Sequence, residues 1–491
     1  SLAAQSTVPT PAPNLSAADF AALGIAGVTA DNLASVLAGI ASTADNGSAI
    51  DTQAELQAVV NAAIKAYNDL AALNDLRDAA INRITTYAGD ATTAAGSTLP
   101  TLSDYQVAGV TGVTSANLSA LNSALATAGV VGTAVDSTAE IQTLVDAYNR
   151  ILSEANGAAV DANASANPTV ADYSAIGANT AASFANGSAA QSLLNTVIGA
   201  QTTSGVDSVA KIEALAVRVD AILDTAAGTT PAQALTVADF SALGISGVTP
   251  YNLAFVLAQI AASADDGSAV DTLAELQAFV SQAAAEAIAA AFLCVKTYAG
   301  DATHAFAGTA PVLNDYLLLG ITGVDAGNLA SIQSALASSA VQASSLAAAS
   351  DVQALVNAFN SILAEANGSA TDATPGSNPT TATYTAIGAT TAAGLSTSGL
   401  ALLNDTIGNL AAADVDTTVK IEALASTVAG LMTTATGGTA TPALTENDFA
   451  GLGITGVHLD QAGMRVGRTH KTGACQPGRC KVIGVAPRSE E

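Results

Sequence analysis

One phrase recurs along the chain, and its recurrence limits what the chain can fold into. The phrase reads Asp-Phe-x-x-Leu-Gly-Ile-x-Gly-Val in its closest copies and is looser elsewhere. Its copies start at Asp19, Asp104, Asp172, Asp239, Asp315, Thr383 and Asp448. Neighbouring copies are roughly 65 to 85 residues apart. Because self-similarity at such spacing marks a tandem array, the 491 residues are read as repeats rather than as ordinary domains.

The copies divide the chain into about six complete repeats and a truncated seventh. Repeats 1 to 6 are predicted at residues 14–99, 100–167, 168–233, 234–310, 311–378 and 379–442, and the truncated repeat 7 at 443–457. An N-terminal linker, 1–13, precedes them, and an atypical basic tail, 458–491, follows. Repeats 1 to 3 resemble repeats 4 to 6 in order, which indicates that a triplet was duplicated.

Each repeat is predicted to contain one short helix and two longer ones. A Ser/Thr-x-x-Asp box such as Ser16 to Asp19 caps the first helix, Phe20 and Leu23 form its apolar face, and Gly24 ends it. Apolar residues then recur at i, i+3, i+4 and i+7, the spacing of a single buried helix face. In the second helix of repeat 1 these positions are Leu33, Val36, Leu37 and Ile40.

No sustained period-two alternation appears, so no strand is predicted. The sequence therefore predicts an all-α fold: a tandem array of small three-helix modules with an irregular C-terminal tail. Linkers rich in Pro, Ser, Thr and Gly join the modules. Phe20, Phe240 and Phe449 are predicted core anchors rather than ligand-binding rings.

Charge and composition exclude several classes of function. The net charge is −27 with only 14 Lys and Arg, which argues against nucleic-acid binding and against docking on anionic lipid. The longest apolar run, Ala287 to Val295, is far short of the ~20 residues that span a bilayer, so no membrane insertion is predicted. Cys294, in an Ala-rich stretch, is expected to be a buried, inert thiol.

The two ends of the chain differ from the array. The start, Ser-Leu-Ala-Ala-Gln, has no initiator Met or signal sequence, so we expect a processed protein or a fragment. After Val457 the phrase breaks off into a tail rich in basic residues, which we expect to be disordered or non-native. Its Cys475-x4-Cys480 pair near His470 does not match zinc-site spacing.

Two acidic loops are the only metal candidates, with calcium as the possible ion. The candidate ligands are Asp45, Asp51, Asp265, Asp266 and Asp271. Calcium prefers six to eight oxygen ligands, and the EF-hand spacing is not met here. A turn followed by a helix cap is the favoured interpretation, so no cofactor is predicted.

No catalytic residue is predicted, and the chain is not expected to be an enzyme. His304 is the one histidine of the array and is interpreted as a loop substitution. Carboxylates such as Glu213 and Asp207 are expected on solvated helix faces or at caps. A nucleophile would need a positioned base beside it, and the sequence pattern offers none.

The extended phrase [ST]-x-x-Asp-[Phe/Tyr]-x-x-x-Gly-Ile-x-Gly-Val-Thr-x-x-Asn-Leu resembles the Ala-rich tandem helical repeats of large bacterial surface and adhesin-type proteins. The resemblance covers Ser16 to Val457, nearly the whole chain. It implies an exported stalk segment at the cell surface or in a biofilm matrix, and it implies no catalytic residues.

We therefore expect a non-enzymatic, extracellular structural or adhesive repeat protein, a spacer or stalk segment of a bacterial surface protein. Its expected partners are other surface or matrix proteins, or further copies of itself. One alternative is a self-assembling surface-layer or filament subunit, which predicts regular polymerisation where a spacer predicts an elongated monomer. The other is a set of multivalent protein-binding three-helix modules, which predicts one exposed apolar stripe per module.

Overall fold

The computed structural model describes residues 15–43, 47–89, 98–158, 167–263, 267–301, 310–368, 378–460 and 463–466. Within these ranges the chain is all-α, with 21 α-helices and one two-stranded hairpin. Backbone packing divides it into two compact units, residues 1–249 with 255–282 and residues 250–254 with 283–491. The all-α prediction is confirmed.

The helices follow the order of the sequence repeats. Repeats 1 to 3 contain α1 (Ala17–Ala22), α2 (Leu33–Ala41), α3 (Gln53–Tyr87), α4 (Leu102–Val107), α5 (Leu118–Leu125), α6 (Thr138–Glu154), α7 (Val170–Ala175), α8 (Asn179–Ser183), α9 (Ala189–Ala200) and α10 (Val209–Ala226). Repeats 4 to 6 contain α11 (Val237–Ala242), α12 (Leu253–Ala261), α13 (Leu273–Tyr298), α14 (Leu313–Leu318), α15 (Leu329–Leu336), α16 (Ala349–Glu365), α17 (Thr381–Ala386), α18 (Thr390–Ala393), α19 (Thr397–Gly408) and α20 (Thr418–Ala435). Repeat 7 contributes α21 (Glu446–Gly451).

Hydrogen bonds confirm the predicted helix starts. At α7, the Thr169 hydroxyl donates to Asp172 Oδ2 at 2.7 Å, and the Asp172 backbone N–H donates to Thr169 Oγ1 at 3.3 Å. The same hydroxyl-to-carboxylate bond forms at Ser16, Thr52, Ser137, Thr236, Thr272 and Thr445. The acid also lies in the positively polarised first turn of the helix, so each box stabilises its helix start twice.

Most of the predicted core positions are confirmed, although Leu33 and Leu37 are only half-buried where they pack against the core. Phe20, Phe240 and Phe449 are buried, and so are Val36 and Ile40 of α2. Leu23, which we expected on the apolar face of α1, is 54% exposed. It is the C-cap residue of α1, and the chain turns away there as Gly24 takes a φ of +73°.

Repeats 3 and 6 contain a fourth helix that the sequence did not predict. The short helices α8 and α18 each follow a positive-φ glycine, Gly177 and Gly388. Here the sequence runs Gly-Ala-[Asn/Thr]-Thr, without the Gly-Val-[Thr/Asp] segment that forms a turn in repeats 1, 2, 4 and 5. The chain therefore enters a helical turn directly after the glycine.

A β-hairpin forms where no strand was predicted. Strand β1 (Val457–Asp460) pairs antiparallel with β2 (Gly463–Val466), and Val457 lies opposite Val466. Four residues per strand are too few to show a period-two pattern in the sequence, so the expectation of an irregular tail was wrong at this point. Residues 467–491 lie outside the described residues.

Among the described helices, α13 is long and apolar enough to cross a bilayer by length and composition alone. Counting uninterrupted apolar residues missed it, because Glu286 separates two apolar segments of the helix. Core helices of soluble proteins pass the same test. The expectation that the chain does not insert into membranes stays a prediction.

Candidate functional site

The polar residues of the recurring phrase bond to backbone within their own repeat. Asn117 accepts a hydrogen bond from the Thr114 N–H at 2.7 Å and donates to the Gly112 carbonyl at 2.8 Å. Asn32 and Asn328 make the equivalent pair of bonds. This asparagine therefore closes the turn that leads into the second helix.

A glutamine in the third helix binds the loop after the first helix. Gln142 Oε1 accepts from the Thr111 N–H at 2.8 Å, and Gln142 Nε2 donates to the Thr111 carbonyl at 3.1 Å. The same two-bond contact joins Gln57 to Ala26, Gln277 to Ser246 and Gln353 to Thr322. The side-chain amide thus satisfies both the backbone N–H and the backbone carbonyl of one loop residue.

In repeats 3 and 6 this glutamine is replaced by Glu213 and Glu422. Their carboxylates accept the backbone N–H of Thr180 and Thr391, at 2.9 and 3.1 Å to the two oxygens in each case. Those N–H groups lie in the first turn of α8 and α18, where a helix presents donors only. A carboxylate fits there better than an amide, because no carbonyl needs a donor. Glu213 was predicted at a cap or a solvated face, and it caps α8.

A buried tyrosine–asparagine pair joins the first helix to the next long helix in several repeats. The Tyr173 hydroxyl donates to Asn195 Oδ1 at 2.7 Å, and Asn195 Nδ2 donates to the Pro168 carbonyl at 3.0 Å. Tyr105 with Asn122 and Tyr384 with Asn404 form the same arrangement. Every polar atom in this bridge therefore has a partner, as burial demands.

Repeats 1 and 4 exchange both members of this pair together. Phe20 and Phe240 stand in place of the tyrosine, and Leu37 and Leu257 in place of the asparagine. Phenylalanine has no hydroxyl, so an amide facing it would lose its bonding partner. The paired exchange is what hydrogen-bond satisfaction requires.

Repeat 5 breaks this rule. Gln333 stands where repeat 2 has Asn122, and its Nε2 donates to the Pro311 carbonyl at 2.8 Å. The buried hydroxyl of Tyr316, however, has no hydrogen-bond partner among the described residues. An unsatisfied buried hydroxyl costs free energy, so repeat 5 is suboptimal at this position.

Gln333→Asn is therefore expected to stabilise repeat 5 by about 1 kcal/mol, because the shorter amide restores an acceptor for the Tyr316 hydroxyl. Hydrogen exchange at the amides of α14 and α15 measures the local opening free energy. Gln333→Leu serves as the control: it removes the bond to the Pro311 carbonyl and should increase exchange. Equal exchange in the asparagine variant and the wild type would contradict the prediction.

Consecutive repeats are joined by backbone hydrogen bonds, and we call each such contact a junction. A positive-φ glycine after the third helix donates its N–H to a carbonyl at the end of the first of the two longer helices of the next repeat. The bonds are Gly89 to Leu125, Gly157 to Gln201, Gly300 to Leu336 and Gly368 to Leu410, at 2.8–3.0 Å. Within each unit, therefore, these repeats are packed against one another rather than joined by linkers alone.

A second junction bond caps a helix start with a side chain from the preceding repeat. The Val209 N–H at the start of α10 donates to Ser123 Oγ of α5 at 3.1 Å. The equivalent bonds are Leu273 to Thr196 Oγ1 at 2.9 Å and Thr418 to Ser334 Oγ at 3.0 Å. A helix N-terminus has four unpaired N–H groups, and here one of them is satisfied only when the preceding repeat is in place.

The junctions of the first unit also contain arginine–aspartate ion pairs. Arg218 Nε lies 2.9 Å from Asp239 Oδ1, and Arg83 with Asp104 and Arg150 with Asp172 form the same pair. Each aspartate is also the acid of its helix-capping box and is largely buried. The side-chain pair is thus shared by two repeats, the arginine from one and the carboxylate from the next.

The corresponding positions of the second triplet lack these ion pairs. They are Cys294 with Asp315, Ser361 with Thr383, and Thr427 with Asp448. Thr427 Oγ1 reaches Asp448 Oδ1 only at 3.5 Å. Burial, with the nearby Asp315 carboxylate, raises the pKa of the half-buried Cys294 thiol. The duplicated halves therefore differ in the chemistry of their junctions.

Acid is expected to loosen the ionic junctions selectively. Burial alone would raise the pKa of Asp104 and Asp239, but hydrogen bonds from Thr101 and Thr236 and the adjacent arginines outweigh it and leave each pKa below its usual 3.8. A lowered pKa contributes stability that is complete above 3.8 and is lost as the pH falls further. Protection of α4 and α11 amides, corrected for intrinsic exchange, should fall between pH 5 and pH 2 more than that of α17. An equal loss at α17, whose box holds Thr383, would contradict this.

The structure describes only some of the five candidate calcium ligands. Asp45, Asp265 and Asp266 lie outside the described residues. Asp51 is exposed beside Glu55, and a hydrogen bond with that carboxyl group raises the pKa of Asp51. Glu55 itself accepts the Thr52 hydroxyl in the capping box of α3. In the described part of the chain, no three His, Cys, Asp or Glu side chains lie close enough together to hold a metal ion.

The other sequence candidates lie outside the described residues, namely His304, His470, Cys475 and Cys480. The junction ion pairs, the glutamine bridge and the tyrosine–asparagine pair were not predicted. Two of them leave a signal in the sequence nonetheless: tyrosine and asparagine are both replaced in repeats 1 and 4, and the arginine recurs at equivalent positions throughout the first triplet. No protein-family model, curated protein or solved structure matches the chain.

Proposed function

We propose that the chain is a non-enzymatic structural spacer, a tandem series of three-helix modules that holds other parts of a surface protein apart. The observation that carries this proposal is the recurrent junction. Backbone bonds such as Gly157 to Gln201 and capping bonds such as Val209 to Ser123 join one repeat to the next. A chain that transmits position or force along its length needs contacts of this kind between neighbours.

The use of polar side chains also supports a structural role. The recurring Asn, Gln, Tyr and capping residues bond to groups within their own repeat, and the junction residues bond to the neighbouring one. Side chains of a binding or catalytic site would instead converge on an open cleft with bonding capacity to spare. The adhesive role, the location outside the cell and the attachment to a larger bacterial surface protein remain part of the proposal and rest on the repeat resemblance.

Large exposed apolar side chains do not recur at equivalent positions of the described repeats. Three of them lie together on α3, and others such as Val131 and Val419 are single. Multivalent binding modules would present the same apolar stripe in each repeat. The spacer is therefore favoured over that alternative.

Stretching the full chain between its termini tests the spacer. Independent modules of roughly 65 to 85 residues should unfold in successive events that each release about 23 to 30 nm, since an extended residue spans about 3.6 Å. Small-angle scattering should also give a radius of gyration above the roughly 23 Å expected for a compact globule of this length. A single cooperative rupture together with a globular radius would refute the proposal.

A further inference from the structure

The middle of α3 is exposed although both of its ends are buried. Leu56 and Val60 pack in the core of repeat 1, and Ile84 and Tyr87 are buried near α4. Between Lys65 and Ala79 no side chain is buried. This 35-residue helix is longer than its counterpart α13, which has 26 residues.

Three leucines form one face in this exposed stretch. Leu70, Leu73 and Leu76 are 58%, 63% and 60% exposed, and their spacing of three places them on the same side of the helix. Leu73 also lies seven residues before the buried Ala80, which itself lies seven before the buried Tyr87. The exposed face is thus continuous with the face that packs near α4, and we call these three leucines the α3 stripe.

The charges beside the α3 stripe are self-complementary. Asp69 and Arg77 lie one turn before and one turn after Leu73, on the same side of the helix. Each now has a neighbour in its own helix: Lys65 Nζ lies 2.6 Å from Asp69, and Arg77 lies 3.1 Å from Asp78. In an antiparallel pair of identical helices crossing at Leu73, Asp69 would face Arg77 of the second copy twice. A parallel pair would place Asp69 against Asp69 instead, which is repulsive.

We propose that the α3 stripe binds a second copy of this chain, antiparallel, about a two-fold axis at Leu73. Leu73 then faces Leu73 of the second copy, and Leu70 faces its Leu76. The contact is isologous, so it closes as a dimer and does not propagate into a filament. One helix pair buries less than the ~1,200 Å² of a standard interface, so we expect a weak dimer, formed at high local concentration.

Equilibrium sedimentation of the full chain tests the dimer. Wild type should dimerise between about 10 µM and 1 mM, as weak interfaces do. Leu73→Gln should weaken association at least tenfold, whereas Leu23→Gln, at an equally exposed leucine, should not. Asp69→Arg and Arg77→Asp should each weaken the dimer, and the double variant should restore it. Circular dichroism confirms that each variant is folded. A monomer at every concentration, or a dimer indifferent to Leu73→Gln, would overturn the proposal.

Disulfide trapping fixes the geometry. Helices packed 8–10 Å apart bring facing Cα atoms to about 3.5–5.5 Å at the closest point, which overlaps the Cα separation of a disulfide. In a chain with Cys294, Cys475 and Cys480 replaced, Leu73→Cys should crosslink to a second copy under mild oxidation, and Leu23→Cys should not. Occupation of the stripe by residues 1–14 or by an unrelated protein would leave Leu73→Cys uncrosslinked. The dimer proposal does not depend on the spacer proposal. The stretching experiment is carried out on the Leu73→Gln variant, so that the two proposals are tested separately.

Discussion

Gly177→Ala is expected to destabilise the junction between repeats 2 and 3 by about 3 kcal/mol. Gly177 has a φ of +74°, a conformation that costs an L-residue about 1–2 kcal/mol. A Cβ there would also lie 2.1 Å from Thr127 Oγ1 and 3.2 Å from Val130 Cγ2. Thr127 cannot rotate away freely, because its hydroxyl donates to the Ala124 carbonyl at 2.8 Å. Such overlap adds roughly another 1–3 kcal/mol.

Gly157→Ala provides a matched control. Gly157 has nearly the same φ, +79°, but an added Cβ would meet nothing within 4 Å. It should therefore cost only the conformational term of about 1–2 kcal/mol. Hydrogen exchange at the amides of α7 and α10 measures both variants in the intact chain. If the two alanines had equal effects, the close approach at Gly177 would carry no energetic weight.

The second large effect is expected at the buried pair of repeat 2. Asn122→Leu should destabilise the repeat by about 2–4 kcal/mol, since it leaves the Tyr105 hydroxyl and the Pro100 carbonyl without the bonds they now make to Asn122 at 2.9 and 2.8 Å. Tyr105→Phe alone should cost about 1–2 kcal/mol, because Asn122 Oδ1 then has no hydrogen-bond donor.

The double variant Tyr105→Phe with Asn122→Leu should be far less destabilised than the sum of the two single changes. It recreates the Phe and Leu that repeats 1 and 4 carry at these positions. A coupling energy of about 1–2 kcal/mol from the four-variant cycle, measured by exchange at α4 and α5, is the expected result. Additive effects would show that the hydroxyl and the amide act independently.

The sequence predicted the helices better than their contacts. Capping boxes such as Thr169 to Asp172 and the buried faces of the longer helices were visible because both depend on residues a few positions apart. Leu23 was misplaced because periodicity does not reveal where a six-residue helix ends. The hairpin that begins at Val457 was not predicted for a related reason, since strands of four residues are too short to establish a period.

The junctions depend on residues far apart in the chain, such as Ser123 and Val209, and local pattern does not link them. A comparison between repeats does link the residues of the buried tyrosine–asparagine pair. The exchange of Tyr with Asn for Phe with Leu is a covariation that the seven copies supply without any alignment of other proteins. Arg83, Arg150 and Arg218 occupy equivalent positions in the first triplet and are absent from the second. Comparing the two triplets therefore indicates that these arginines share a role.

The positions of the tyrosine–asparagine and arginine–aspartate pairs have a consequence for how recombination can change the gene. The tyrosine and asparagine lie within one repeat, so recombination that moves a whole repeat carries both together. The arginine and aspartate lie in successive repeats, so any recombination that changes a repeat's neighbour can leave one of them without its partner. Unequal crossing-over should therefore preserve the interior chemistry of these segments more readily than the ionic chemistry between them, and the two triplets already differ at all three arginine positions.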